Sequence, residues 1–169
     1  MPNLAAFLRG INVGGRNRVP MQELRRLFED LGCAGVSTVI QSGNVVFSAP
    51  TAEGLDSRLS GAIEARFGFP VPVMIRSASE LHEIANNNPW PDADPRRSSV
   101  CLLESLPAGT LQASRSPGDS FQLGRGVLYL NTPRGISKSK FSTSYIEKML
   151  GTKITARNWN TFRKVLDRL

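Results

Sequence analysis

At 169 residues, with 40% hydrophobic and 7% aromatic side chains, the chain has the composition of one medium globular domain or two small subdomains. No apolar run approaches the roughly 20 residues of a membrane span, and two distant cysteines, Cys33 and Cys101, suit reduced thiols in the cytoplasm rather than a disulfide scaffold. The net charge of +7 is uneven: residues 1–95 hold 8 basic and 10 acidic side chains, residues 96–169 hold 13 and 4.

In chain order, "LAAFLRG" is a short apolar run that reads as a strand, because it lacks the basic leader of a signal peptide. Pro20 suits the start of a helix, Leu24, Leu27, Phe28 and Leu31 follow at helical spacing, and Gly32 fits its end. "VSTVIQSGNVVFS" reads as two strands turning at Ser42, Gly43 and Asn44. A second helix spans about residues 52–67, and "PVPVMIR" is a fourth strand. The order β-α-β-β-α-β predicts a ferredoxin-like subdomain in an α+β chain. Ser77 and Glu80 stand at capping-box spacing and open a third helix. These elements assign residues 1–88 to a first subdomain. The Pro/Asn-rich stretch 86–95 then breaks all periodicity and connects to a basic α+β subdomain, residues 96–169.

That second part opens with the strand "SSVCLLES", followed by a weakly helical stretch from Leu106 to Ala113. "SFQLGRGVLYLNT" is a hairpin turning near Gly124–Gly126. Phe141, Tyr145 and Met149 mark a helix that stops at Gly151. An extended piece and a final helix close the chain, with Phe162, Val165, Leu166 and Leu169 facing inward. No tandem repeat is legible.

The standard catalytic constellations are mostly missing. His82 is the single histidine and sits mid-helix without a nucleophile in context. One histidine, two separated cysteines and no carboxylate cluster make no metal set, so neither a metal nor another cofactor is expected. Asp92 and Asp94 fit a turn better than an acid–base pair.

Three polar stretches remain. "LRGINVGGRNRV" matches neither the G-x-G-x-x-G nor the P-loop pattern. It nevertheless joins a strand to a helix start, where backbone N–H groups favour anions, and it carries Arg9, Asn12, Gly14, Gly15, Arg16 and Asn17. Against this, Pro20 removes a donor, and the glycines also serve a plain long turn. The predicted topology brings the loop to the same end of the sheet as Gln41, Ser42, Gly43 and Asn44. In "ARNWNTFRK", Arg157, Arg163 and Lys164 frame Trp159 between Asn158 and Asn160. Either asparagine can cap the last helix, and the tryptophan can pack on the core or stack on a base.

Four segments, "FLRGINVGGRNRVPMQELRRLFEDLG", "TVIQSGNVVFS", "RFGFPVPVMIR" and "TARNWNTFRK", carry a resemblance over nearly the whole chain to a bacterial family catalogued as a domain of unknown function, number sixteen ninety-seven. The resemblance implies a compact α+β protein with a ferredoxin-like part and assigns no activity. Its marks fall on Arg9, Gly10, Asn12, Gly14, Gly15 and Asn17, on Gln41 to Asn44, and on Arg157 to Thr161.

The residues point to a cytoplasmic protein that binds an anion, either a nucleotide-like small molecule or nucleic acid, with no membrane partner. Two rivals stand beside this reading. One is an enzyme that stabilises charge on a phosphorylated or nucleotidyl substrate by positioning alone. The other is an interaction module whose basic face docks an acidic protein. The sequence does not give the oligomeric state.

Overall fold

The computed structural model describes residues 1–40 and 43–169. They form an α+β chain with two antiparallel four-stranded sheets and five helices among the described residues. Two compact units emerge. One comprises Met1–His82 with Lys164–Leu169, the other Glu83–Arg163.

In the first unit the strands are β1 (Asn3–Leu8), β2 (Ala34–Thr38), β3 (Asn44–Ser48) and β4 (Val73–Ser77), in sheet order β2-β3-β1-β4. Helix α1 (Met21–Asp30) joins β1 to β2, and α2 (Leu55–Phe67) joins β3 to β4. The predicted β-α-β-β-α-β order is therefore present. The unbroken apolar run of β1 reflects its place, since it is hydrogen-bonded to β3 on one side and β4 on the other. Leu4, Ala6 and Leu8 pack with Val45 and Phe47 of β3 against Leu24, Leu27 and Phe28 of α1 and Leu59 and Ile63 of α2. The rings of Phe28 and Phe47 meet edge-on at 5.2 Å. Helix α3 (Ala78–Asn86) follows β4 without a loop. Its capping box forms as expected: the Glu80 N–H donates to Ser77 Oγ at 3.2 Å, and the Ser77 N–H donates to Glu80 Oε2 at 2.7 Å. The division between the units falls inside α3, ahead of the Pro/Asn-rich stretch.

The second unit holds β5 (Ser98–Leu103), β6 (Ser120–Gly124), β7 (Val127–Asn131), α4 (Thr143–Leu150), β8 (Ile154–Asn158) and the start of α5 (Trp159–Leu166). Cys101, Leu103, Leu128, Leu130 and Ile154 form a core with Ile146 and Leu150 of α4. The expected helix over residues 106–113 is missing, and only a short 3-10 turn at Ala113–Arg115 remains. Pro107 and Gly109 interrupt the stretch, and Leu111 alone plugs the core while Leu106 stays exposed. Gly109 passes so close to α4 that a Cβ there would lie 2.5 Å from the Met149 carbonyl oxygen.

The second sheet has the order β6-β7-β5-β8, which is the connectivity of the first sheet over again. The chain thus repeats a topology that its sequence does not show as a repeat. Connectivity requires only apolar inward faces and turns in the right places, and many unrelated residues satisfy both.

Cys101 is fully buried, and burial pushes its thiol from an ordinary 9.0 up to about 12. The unfolded chain therefore loses this proton first as pH rises. Stability should be intact below about pH 9 and decline between pH 9 and 12, by up to ~1.4 kcal/mol per pH unit for this group. Urea unfolding of the wild type and Cys101→Ala across that range checks it. The variant should show the shallower alkaline decline.

Candidate functional site

The glycine-rich stretch between β1 and α1 is a small arm tied to itself. Its tip is a two-residue turn. Gly14 and Gly15 have φ of 59° and 73°, and the Arg16 N–H donates to the Val13 carbonyl at 3.0 Å. Two adjacent left-handed residues make the turn type that prefers glycine at both places. At the base of the arm the Asn12 amide spans Val19, its Nδ2 donating to the carbonyl at 3.0 Å and its Oδ1 accepting from the N–H at 2.9 Å. Asn17 Nδ2 donates to the Gly10 carbonyl at 3.1 Å. Both asparagines sit at positive φ, a conformation they tolerate better than most residues. Their amides hold the arm, and Arg16 and Arg18 stand exposed on it.

The arm's base meets Gly43, the residue ahead of β3, at one end of the first sheet. The Leu8 N–H donates to the Gly43 carbonyl at 2.8 Å. A Cβ on Gly43 would come within 2.9 Å of Leu8 Cβ and 3.1 Å of Ile11 Cδ1. Asn44 is wholly buried, and its Nδ2 donates back to the Val39 carbonyl at 2.9 Å, while the Val39 N–H donates to the Asn44 carbonyl at 2.8 Å. Gln41 and Ser42 lie outside the described residues. Immediately before them, Ile40 has a φ of 59° and is 45% exposed. A β-branched residue in that conformation stores about 1–3 kcal/mol of strain.

The last residues of the chain complete this end. Lys164, Asp167 and Arg168 line a groove of about 280 Å³ with Thr38, Val39 and Ile40. Arg168 Nη1 donates to Ser37 Oγ at 2.9 Å, which fixes the guanidinium beside β2. Lys164 lies in the last turn of α5 and Arg168 two residues beyond its end, and both line the groove. The side chains of Lys164 and Asp167 form no hydrogen bond or ion pair among the described residues.

The other predicted residues belong to the second unit. Asn158 caps α5, its Oδ1 accepting from the Thr161 N–H at 2.9 Å. The Trp159 ring stacks on Phe162 of its own helix at 5.5 Å. Arg157 Nη1 donates to the Ala156 carbonyl at 2.9 Å, and burial lowers its guanidinium to about 10. Arg76 occupies the same place before α3 and makes the same bond to the Ile75 carbonyl at 2.9 Å. Its guanidinium is also lowered by burial, which Glu80 and Asp56 oppose. Asn160 is half-buried and Arg163 exposed.

Of the predicted residues, the first unit brings Arg9 to Asn17, Asn44 and Lys164 together at or near one end of its sheet, with Gly43 at the join. Ser37, Thr38, Ile40, Asp167 and Arg168 were not foreseen. Nothing local marks them, because their proximity depends on the chain's end returning to its first sheet. His82 is exposed on α3, and Asp94 is bound by Arg96 at 3.0 Å, which holds its carboxyl below the ordinary range. Among the described residues no group of His, Cys, Asp and Glu could hold a metal ion, and no helix is long and apolar enough to cross a membrane.

The family model described as a protein of unknown function (DUF1697) matches residues 1–129. Among solved structures, the chain is similar to conserved bacterial protein SP0830 from Streptococcus pneumoniae, with a TM-score of 0.71 and 24% identity over 99% of this chain and 98% of that one. This likeness shows the fold. No curated protein matches the chain significantly.

Proposed function

This chain belongs to the DUF1697 family, and from the geometry of its first unit we propose that it binds an anionic small ligand beside the end of β2. The observation that carries the reading is the groove in which Lys164 and Arg168 face the end of β2. The excess of basic residues in the second half of the chain, of which these two are part, supports it. The negative end of the α5 dipole opposes an anion there by about 0.3–1 kcal/mol. A single cation would barely offset that, so the reading requires both. A volume of about 280 Å³ lies just below the roughly 300–1,000 Å³ of small-molecule sites and suits a small metabolite.

A thermal-shift titration with phosphorylated metabolites tests the proposal. A ligand at about 100 times its dissociation constant should stabilise the fold by roughly 2.7 kcal/mol. Lys164→Ala and Arg168→Ala should each weaken binding at least tenfold, and the double variant should abolish it. Unchanged binding in the double variant would place the ligand elsewhere. Tighter binding of single-stranded nucleic acid, with log affinity falling by about 0.7 per contact against log salt, would favour the polymer instead.

A further inference from the structure

We infer that the groove between β2 and the chain's last turn selects a phosphate ester that also carries hydroxyl groups and an apolar face, the chemistry of a nucleoside monophosphate. The inference rests on the anion-binding reading and adds to it the identity of the ligand.

Three features of the lining point to this class. Two cations and one carboxylate share the groove. A bare inorganic anion between Lys164 and Arg168 gains from both but is repelled by Asp167. A phosphate ester with hydroxyls engages all three, because a carboxylate accepts hydrogen bonds from hydroxyls as well as it repels phosphate oxygens. Arg168 is suited to the phosphate end. Its guanidinium has five N–H donors, and the bond to Ser37 Oγ orients the group while employing one of its nitrogens.

The second feature is Ile40. A turn position at φ 59° ordinarily takes glycine or asparagine, yet here an exposed isoleucine lines the groove. The paired bonds between Val39 and Asn44 hold the adjoining backbone in place. The strain brings an apolar side chain to the rim, where it can cover one face of a base. The third is size. A groove of about 280 Å³ lies close to the lower end of small-molecule sites, a size that suits a single small ligand.

Isothermal titration of the intact protein with adenosine monophosphate, ribose 5-phosphate and inorganic phosphate separates the contributions. Adenosine monophosphate should bind about tenfold tighter than ribose 5-phosphate, and ribose 5-phosphate about tenfold tighter than inorganic phosphate. Asp167→Asn should weaken both esters about tenfold while leaving inorganic phosphate the same or tighter. Ile40→Asn, which suits the left-handed turn and so preserves the fold, should reduce adenosine monophosphate to the level of ribose 5-phosphate and leave the latter unchanged. Equal affinities for the three probes, or adenosine monophosphate binding indifferent to both substitutions, would overturn this inference. If those probes still depended on Lys164 and Arg168, the anion-binding reading would survive without it. If none of the three probes bound, both would fall.

Discussion

Gly43→Val should destabilise the first unit by about 2–5 kcal/mol in urea unfolding. Two separate terms add. The residue sits at φ 85°, where a side chain costs roughly 1–2 kcal/mol and a β-branched one more. The added Cβ would also press to 2.9 Å from both the Cβ and the carbonyl oxygen of Leu8, and overpacking of this kind costs ~1–3 kcal/mol. Leu8 cannot retreat, because its N–H is bonded to the Gly43 carbonyl and it is 1% exposed in the core. Gly14→Ala supplies the control. Gly14 has a similar φ of 59° but nothing within 4 Å of its added Cβ, so only the conformational cost of about 1–2 kcal/mol should appear. Equal losses at the two sites would mean that Gly43 and the arm's base do not press together as described.

Phe28→Ala should cost about 3–5 kcal/mol, the range for deleting a buried phenyl ring. Phe28 has no exposed surface, and its ring meets Phe47 edge-on, a contact worth a further ~0.5–1.5 kcal/mol. Since a domain's whole stability is ~5–15 kcal/mol, the alanine variant should lose a large share of it and unfold at a much lower urea midpoint. Phe28→Leu keeps most of the volume and should lose only part of this, so the pair gives a graded readout by urea midpoint. A loss below about 1 kcal/mol for Phe28→Ala would contradict the packing of α1 on β3.

Local rules were enough for much of the fold. The apolar run of β1, the helical spacing of Leu24, Leu27 and Phe28, the Ser77–Glu80 box and the stop at Gly151 each depend on neighbours a few residues away. Residues 106–113 have weak helical periodicity, but Pro107 and Gly109 interrupt it, and one core contact through Leu111 suffices to hold a coil there. The candidate site was only half legible. Glycine and asparagine at positions 10 to 17 announced a tight arm. That Asn12 and Asn17 use their amides to tie it shut depends on bonds across seven residues.

Periodicity, turn chemistry and charge are properties of short segments, and they carry the α+β class, the element order outside residues 106–113 and the basic second half. The groove that Lys164, Asp167 and Arg168 line with Thr38 and Ile40, more than 120 residues away in the chain, and the repeat of the first sheet's connectivity in the second both arise from the folded chain. The physical reason is the same in both cases. Side chains far apart in sequence meet where buried faces are satisfied together, and no local pattern records which distant face a segment will cover.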